Sequence, residues 1–89
     1  MARHNNFIRE NELKSALISV MKPSRAEESN LEYRLHKSIE NPAQFVLYEN
    51  WINKEAHQKQ FTKPYILELG DRIEPLLAKP YQVVFAEEI

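Results

Sequence analysis

Apolar positions along this chain switch between two spacings, and the switches mark its elements. From Glu12 onward, Leu13, Ala16, Leu17, Val20 and Met21 recur at helical spacing, which makes one stripe of an amphipathic helix. Before it, residues 1–8 have no clear period: Phe7 and Ile8 fit the end of a strand, but residues 3–6 are polar. Pro23 interrupts the helix, because it lacks an N–H and its ring clashes with the preceding turn. Ser24 and Glu27 have capping-box spacing, which predicts one or two further turns, and Asn30 suits a left-handed cap behind them.

The period then changes to two. Leu31, Tyr33 and Leu35 alternate with Glu32, Arg34 and His36, as in a half-buried strand. Asn41-Pro42 marks a turn. Residues 44–52 are more continuously apolar and read as a more buried strand, paired antiparallel with the first. Asn53 is placed to cap a short helix. Pro64 ends that helix and opens another, with Thr62 or Lys63 as its cap. Ile66, Leu69, Ile73, Leu76 and Leu77 follow at helical spacing until Pro80, and residues 81–86 read as a last strand.

The predicted order is β-α-β-β-α-β with the second helical region split. That is a ferredoxin-like α+β fold, a four-stranded antiparallel sheet with helices on one face. The other face, with Val46 and Tyr48, is left open, and a homodimer through that sheet face would cover it. The 89 residues read as one domain, 1–89, whose thin core also favours a dimer.

Composition narrows the function classes. A formal net charge of −1 argues against a nucleic-acid partner, which calls for a basic stripe. Cysteine is absent, so thiolate and disulfide chemistry is excluded and a reducing compartment fits. No apolar run approaches the ~20 residues of a membrane span, and the first residues lack a signal-peptide core; a cytoplasmic location with no membrane partner is expected. His4, His36 and His57 lack metal-ligand spacing, and Gly70, the single glycine, lies within a helix and cannot form a phosphate loop.

Candidate chemistry centres on the second strand and the helix after it. Glu49 and Trp51 are two residues apart and so share a face. Trp51 could wall a pocket for a planar ring or simply fill the core. Glu49 on an apolar face is a candidate proton acceptor; its alternative is an ion pair with Arg34 or Arg72. His57 and His36 are the side chains suited to proton transfer near neutral pH. Tyr48, Phe61 and Tyr65 are candidates for contacting a substrate, against plainer roles in sheet pairing and core.

The residues from Pro23 to Glu28, then Leu31-Glu32-Tyr33-Arg34-Leu35-His36, Asn41-Pro42 and Phe45-Val46-Leu47-Tyr48-Glu49-Asn50-Trp51 resemble the antibiotic biosynthesis monooxygenase family, in particular its small quinol-monooxygenase-like members. The resemblance runs from about Glu12 to the C-terminus. It implies a dimeric α+β barrel that oxidises a quinol-like or hydroxylated aromatic substrate with molecular oxygen and without a cofactor. In that picture His57 or His36, helped by Glu49, manages the proton, and Trp51, Phe61, Tyr65 and Tyr48 contact the substrate. The chain departs from the family pattern in several places. Family members begin with a longer apolar strand. Gln60 and Tyr65 stand where members often carry His, and Leu47 where some oxygenases carry Asn. The replacement of both family histidines by Gln60 and Tyr65 supports the alternative of a non-catalytic dimeric binding or stress-response module on the same fold.

Overall fold

A computed structural model describes the backbone of residues 2–89 and the side chains from Arg9 onward. Helix α1 runs Ala2–Ser19 and α2 runs Met21–Arg25. The break between them is at Val20, because Pro23 has no N–H to offer the carbonyl of Ser19. Ser24 resumes the ladder by donating its backbone N–H to Val20 at 3.0 Å. The proline effect is thus felt a few residues ahead of Pro23, and Ser24 sits inside α2 instead of capping it.

Strands β1 (Asn30–Lys37) and β2 (Phe45–Trp51) form an antiparallel pair. Asn30 begins β1 in place of forming a left-handed cap, and among the described residues no non-glycine residue has positive φ. The turn between the strands is closed by Asn41, whose side-chain oxygen accepts from Ala43 N at 3.1 Å while its carbonyl accepts from Gln44 N. A bulge between Asn30 and Glu32 makes Leu31 the extra residue, so the alternation expected from Leu31 starts at Glu32.

Helix α3 (Lys54–Gln60) is capped by Asn53, and α4 (Pro64–Ile73) opens on Pro64 with Lys63 as its cap. A 3-10 turn, Glu74–Leu76, follows α4. Pro75, which interrupts the donor ladder, tightens the helix end earlier than the apolar spacing through Leu77 implied.

The sheet differs from the expected four strands. Among the described residues it has two. The segment expected to carry the first strand is the N-terminal part of α1, and residues 81–86 pair with neither strand. An opening strand would need an apolar run, and residues 3–6 are polar.

The core lies between α1, α4 and one face of the hairpin. Leu13, Ala16, Leu17 and Val20 from α1 meet Leu69 and Ile73 from α4 and Tyr33 and Trp51 from the strands. Burying each large side chain of this set stabilises the fold by about 1.5–3 kcal/mol. The opposite face of the hairpin carries Glu32, Arg34, His36, Val46, Tyr48 and Asn50, a mixed set without a continuous apolar patch.

Candidate active site

Trp51 is the last residue of β2, and two interactions fix where it points. The Asn30 side chain donates to the carbonyls of Glu32 (2.9 Å) and Asn50 (3.4 Å), and Ile52 N donates to Ser29 O at 3.0 Å. The chain then turns at once into α3, because the Asn53 side chain accepts from Ala56 N at 2.8 Å. This short connection brings the first turn of α3 back over the strand end.

Glu49, Trp51 and His57 meet there. Trp51 Nε1 donates to Glu49 Oε1 at 3.0 Å, and His57 Nε2 lies 3.3 Å from the same oxygen. The imidazole stacks on the indole, with 5.9 Å between ring centres and 8° between planes. Phe61, one turn further along, lies 5.3 Å from the imidazole at 33°, and Phe85 meets it edge-on at 5.1 Å and 62°. The His57 and Glu49 side chains are 17% and 16% exposed. Lys54 places its ammonium 5.8 Å from the centre of the Phe85 ring.

A second polar group lies deeper. Gln60 Nε2 donates to Ser24 Oγ at 3.0 Å, and both side chains are buried. The Tyr33 phenol faces them and is pushed up to about 12, by burial first and then by the charge of Glu49, its cross-strand partner; Ser24 and Gln60 pull the other way. Tyr33 therefore stays a neutral phenol across the physiological range.

A shallow, open cleft of about 420 Å³ lies beside this group, with Trp51 and Gln60 at its base and Glu27, Lys59 and Lys63 at its rim. Tyr65 donates its hydroxyl to Glu27 Oε1 at 3.2 Å, and Lys63 approaches the other carboxylate oxygen at 3.5 Å. Trp51 is thus shared: His57 lies on the indole face and the cleft reaches the same residue from the side of Gln60.

Of the residues singled out from the sequence, Glu49, Trp51, His57 and Phe61 converge. Tyr65 does not line the cleft; it donates to Glu27, which does. His36 and Tyr48 do not join them: both are exposed on the outer face of the hairpin, because their register positions alternate with those of Tyr33 and Glu49. Arg34, offered as a partner for Glu49, is on that outer face too and pairs with Glu32 at 3.0 Å; Glu49 has His57 instead. Three contributors were missed. Phe85 and Lys54 carry no local signal of their role, since only the tertiary fold joins them. Ser24 was read as a cap, although a serine following Pro23 within a helix has no orphan N–H to satisfy. Among the described residues no three potential metal ligands cluster, and no helix is long and apolar enough to cross a membrane.

The fold is similar to that of a Deinococcus radiodurans protein classed among the antibiotic biosynthesis monooxygenases. Their TM-score is 0.75 over 91% of this chain and 85% of that one, at 21% identity. An uncharacterised protein of Synechocystis sp. is 30% identical over 63 residues, which is 71% of this chain and 43% of that protein; the chain spans under half the length of that relative. Residues 9–69 match the antibiotic biosynthesis monooxygenase family, and the match includes both strands, Glu49, Trp51, His57 and Gln60: the chain belongs to that family.

Proposed function

We propose that this chain, acting as one domain in a homodimer, is a monooxygenase that oxidises a quinol-like or hydroxylated aromatic small molecule with molecular oxygen and no cofactor. The observation that carries the reading is His57, held between the Glu49 carboxylate and the rings of Trp51, Phe61 and Phe85. With Nε2 turned to Glu49, the proton of the neutral ring sits on that nitrogen and Nδ1 is the acceptor. Nδ1 takes the phenolic proton, and Glu49 supplies the counter-charge to the imidazolium. The Trp51 and Phe61 rings flank the substrate plane.

Removing the proton matters because the phenolate gives up an electron to oxygen more readily than the phenol does. With molecular oxygen as the oxidant the change balances: one ring C–H of the quinol becomes C–OH, both phenolic C–OH groups become carbonyls, and the second oxygen atom leaves as water. The test is substrate loss from a quinol panel with and without oxygen, for the wild type, His57→Ala and Glu49→Gln. The expected result is oxygen-dependent turnover that falls by about a hundredfold or more in His57→Ala. Glu49→Gln falls less, because Trp51 keeps an acceptor. Equal loss with and without oxygen overturns the reading.

A second reading, a non-catalytic binding module, is favoured by one feature: Gln60, where family members often carry His, is buried and hydrogen-bonded to Ser24. A Trp51 fluorescence response to ligand, without turnover and unchanged in His57→Ala, would decide for it.

A further inference from the structure

The cleft beside Trp51 has two sides of opposite charge. Residues 23–29 bring Glu27 and Glu28 to one side, and residues 56–63 bring Lys59 and Lys63 to the other. Trp51 and Gln60 lie between them, and no residue of the outer hairpin face, through which the dimer is proposed, lines the cleft. At one place the two sides are joined: Glu27 has Tyr65 on one carboxylate oxygen and Lys63 on the other. Glu28 and Lys59 are left over. Among the described residues neither has an ion-pair partner.

The base of the cleft holds an unused group as well. Gln60 is 3% exposed, and its amide nitrogen donates to Ser24. Among the described residues no donor reaches its amide oxygen, yet no buried side-chain oxygen lacks a partner. That oxygen therefore keeps contact with solvent, and the opening beside Gln60 is the cleft. A carboxylate, an ammonium group and an amide oxygen are thus free around one apolar surface made by Trp51, Ala56 and Pro23.

These groups select a ligand by charge. A simple carboxylate matches Lys59 but meets Glu28, and a simple amine matches Glu28 but meets Lys59. A zwitterion matches both, and its ammonium hydrogens can also serve the amide oxygen. We propose that the cleft binds an amino acid with an apolar side chain, its ammonium group toward Glu28 and Gln60 Oε1, its carboxylate toward Lys59 and its side chain against Trp51. The volume of about 420 Å³ lies toward the small end of the range for small-molecule sites, about 300–1,000 Å³. The His57 side of Trp51 is not used, so binding here does not depend on the proposed oxidation.

The experiment compares L-phenylalanine with hydrocinnamate, which lacks the ammonium group, and phenethylamine, which lacks the carboxylate. Each is titrated into the millimolar range at neutral pH, and the Trp51 indole N–H and Ala56 amide resonances report binding. L-Phenylalanine is expected to bind at least about threefold more tightly than either analogue, since an exposed ion pair contributes up to about fivefold. Lys59→Gln should bind L-phenylalanine no better than phenethylamine. Glu28→Gln should bind it no better than hydrocinnamate. Both positions are exposed, so neither change threatens the core. Equal affinity for the three compounds, or no saturable shift at Trp51 and Ala56, overturns the site. A preference for L-phenylalanine that survives unchanged in both variants overturns the roles of Glu28 and Lys59.

Discussion

The Gln60 side-chain amide donates to Ser24 Oγ at 3.0 Å across 36 residues of sequence, joining α3 to α2 with both groups out of solvent. A buried pair of this kind contributes little when made and costs much when half removed. Gln60→Ala and Ser24→Ala each leave a partner unsatisfied and are expected to destabilise by about 1–3 kcal/mol. The double variant is expected to cost clearly less than the sum, because the second change removes the stranded group. Urea unfolding of the four proteins measures the coupling; strict additivity would mean that the two side chains act independently.

Tyr33 makes the stability of the fold depend on pH in the alkaline range. Its pKa rises from 10.0 to about 12 on folding. Between these values the unfolded chain has released the phenolic proton and the folded chain still holds it, so stability falls as pH rises. The contribution is fully present below about pH 10 and is lost by about pH 12, on the order of 3 kcal/mol in all. Stability measured across this window should fall in the wild type and fall less in Tyr33→Phe, which has no phenolic proton to lose. Parallel curves would show that Tyr33 does not carry the effect.

Much of the candidate site was legible because it is local. Glu49 and Trp51 share a strand face by alternation, and His57 follows within one turn of a helix whose cap, Asn53, is visible in the sequence. The same alternation sets His36 and Tyr48 on the face opposite Tyr33 and Glu49, and the structure keeps it; the one-residue bulge takes only Leu31 out of the pattern, and no spacing announces it. The end strands were the other limit. An apolar run such as residues 81–86 has strand propensity whether or not an edge receives it. Phe85 instead found a ring to pack against, and that choice is made by tertiary contacts.

Gly70 offers a stabilising change. It lies within α4 with solvent around it, and a Cβ built there would meet nothing within 4 Å. Its φ is not positive, so the conformational freedom of glycine serves no turn here and only lowers helix stability. Gly70→Ala is expected to add about 0.5–1 kcal/mol, seen as a rise in Tm of roughly 3–6 °C for a domain this small. The quinol panel should read the same as for wild type. A fall in Tm would mean that the residue meets a neighbour in solution.

Asn53 is where local stability and the candidate site join. Helix α3 has seven residues, too few to persist without help from its ends and its packing. His57 and Gln60 both ride on it, one facing Glu49 and Trp51 and the other facing Ser24. The Asn53 side chain satisfies Ala56 N at 2.8 Å, and its loss in Asn53→Ala is expected to cost about 1 kcal/mol, whereas Asn53→Asp keeps an acceptor and costs much less. Because the helix start sets the imidazole over the indole, Asn53→Ala should also weaken the near-ultraviolet circular dichroism of Trp51 ahead of global unfolding. Asn53→Asp should restore the signal. If the Trp51 signal survives in Asn53→Ala until the whole chain unfolds, packing against the strands alone is enough to hold α3, and the cap contributes only to overall stability.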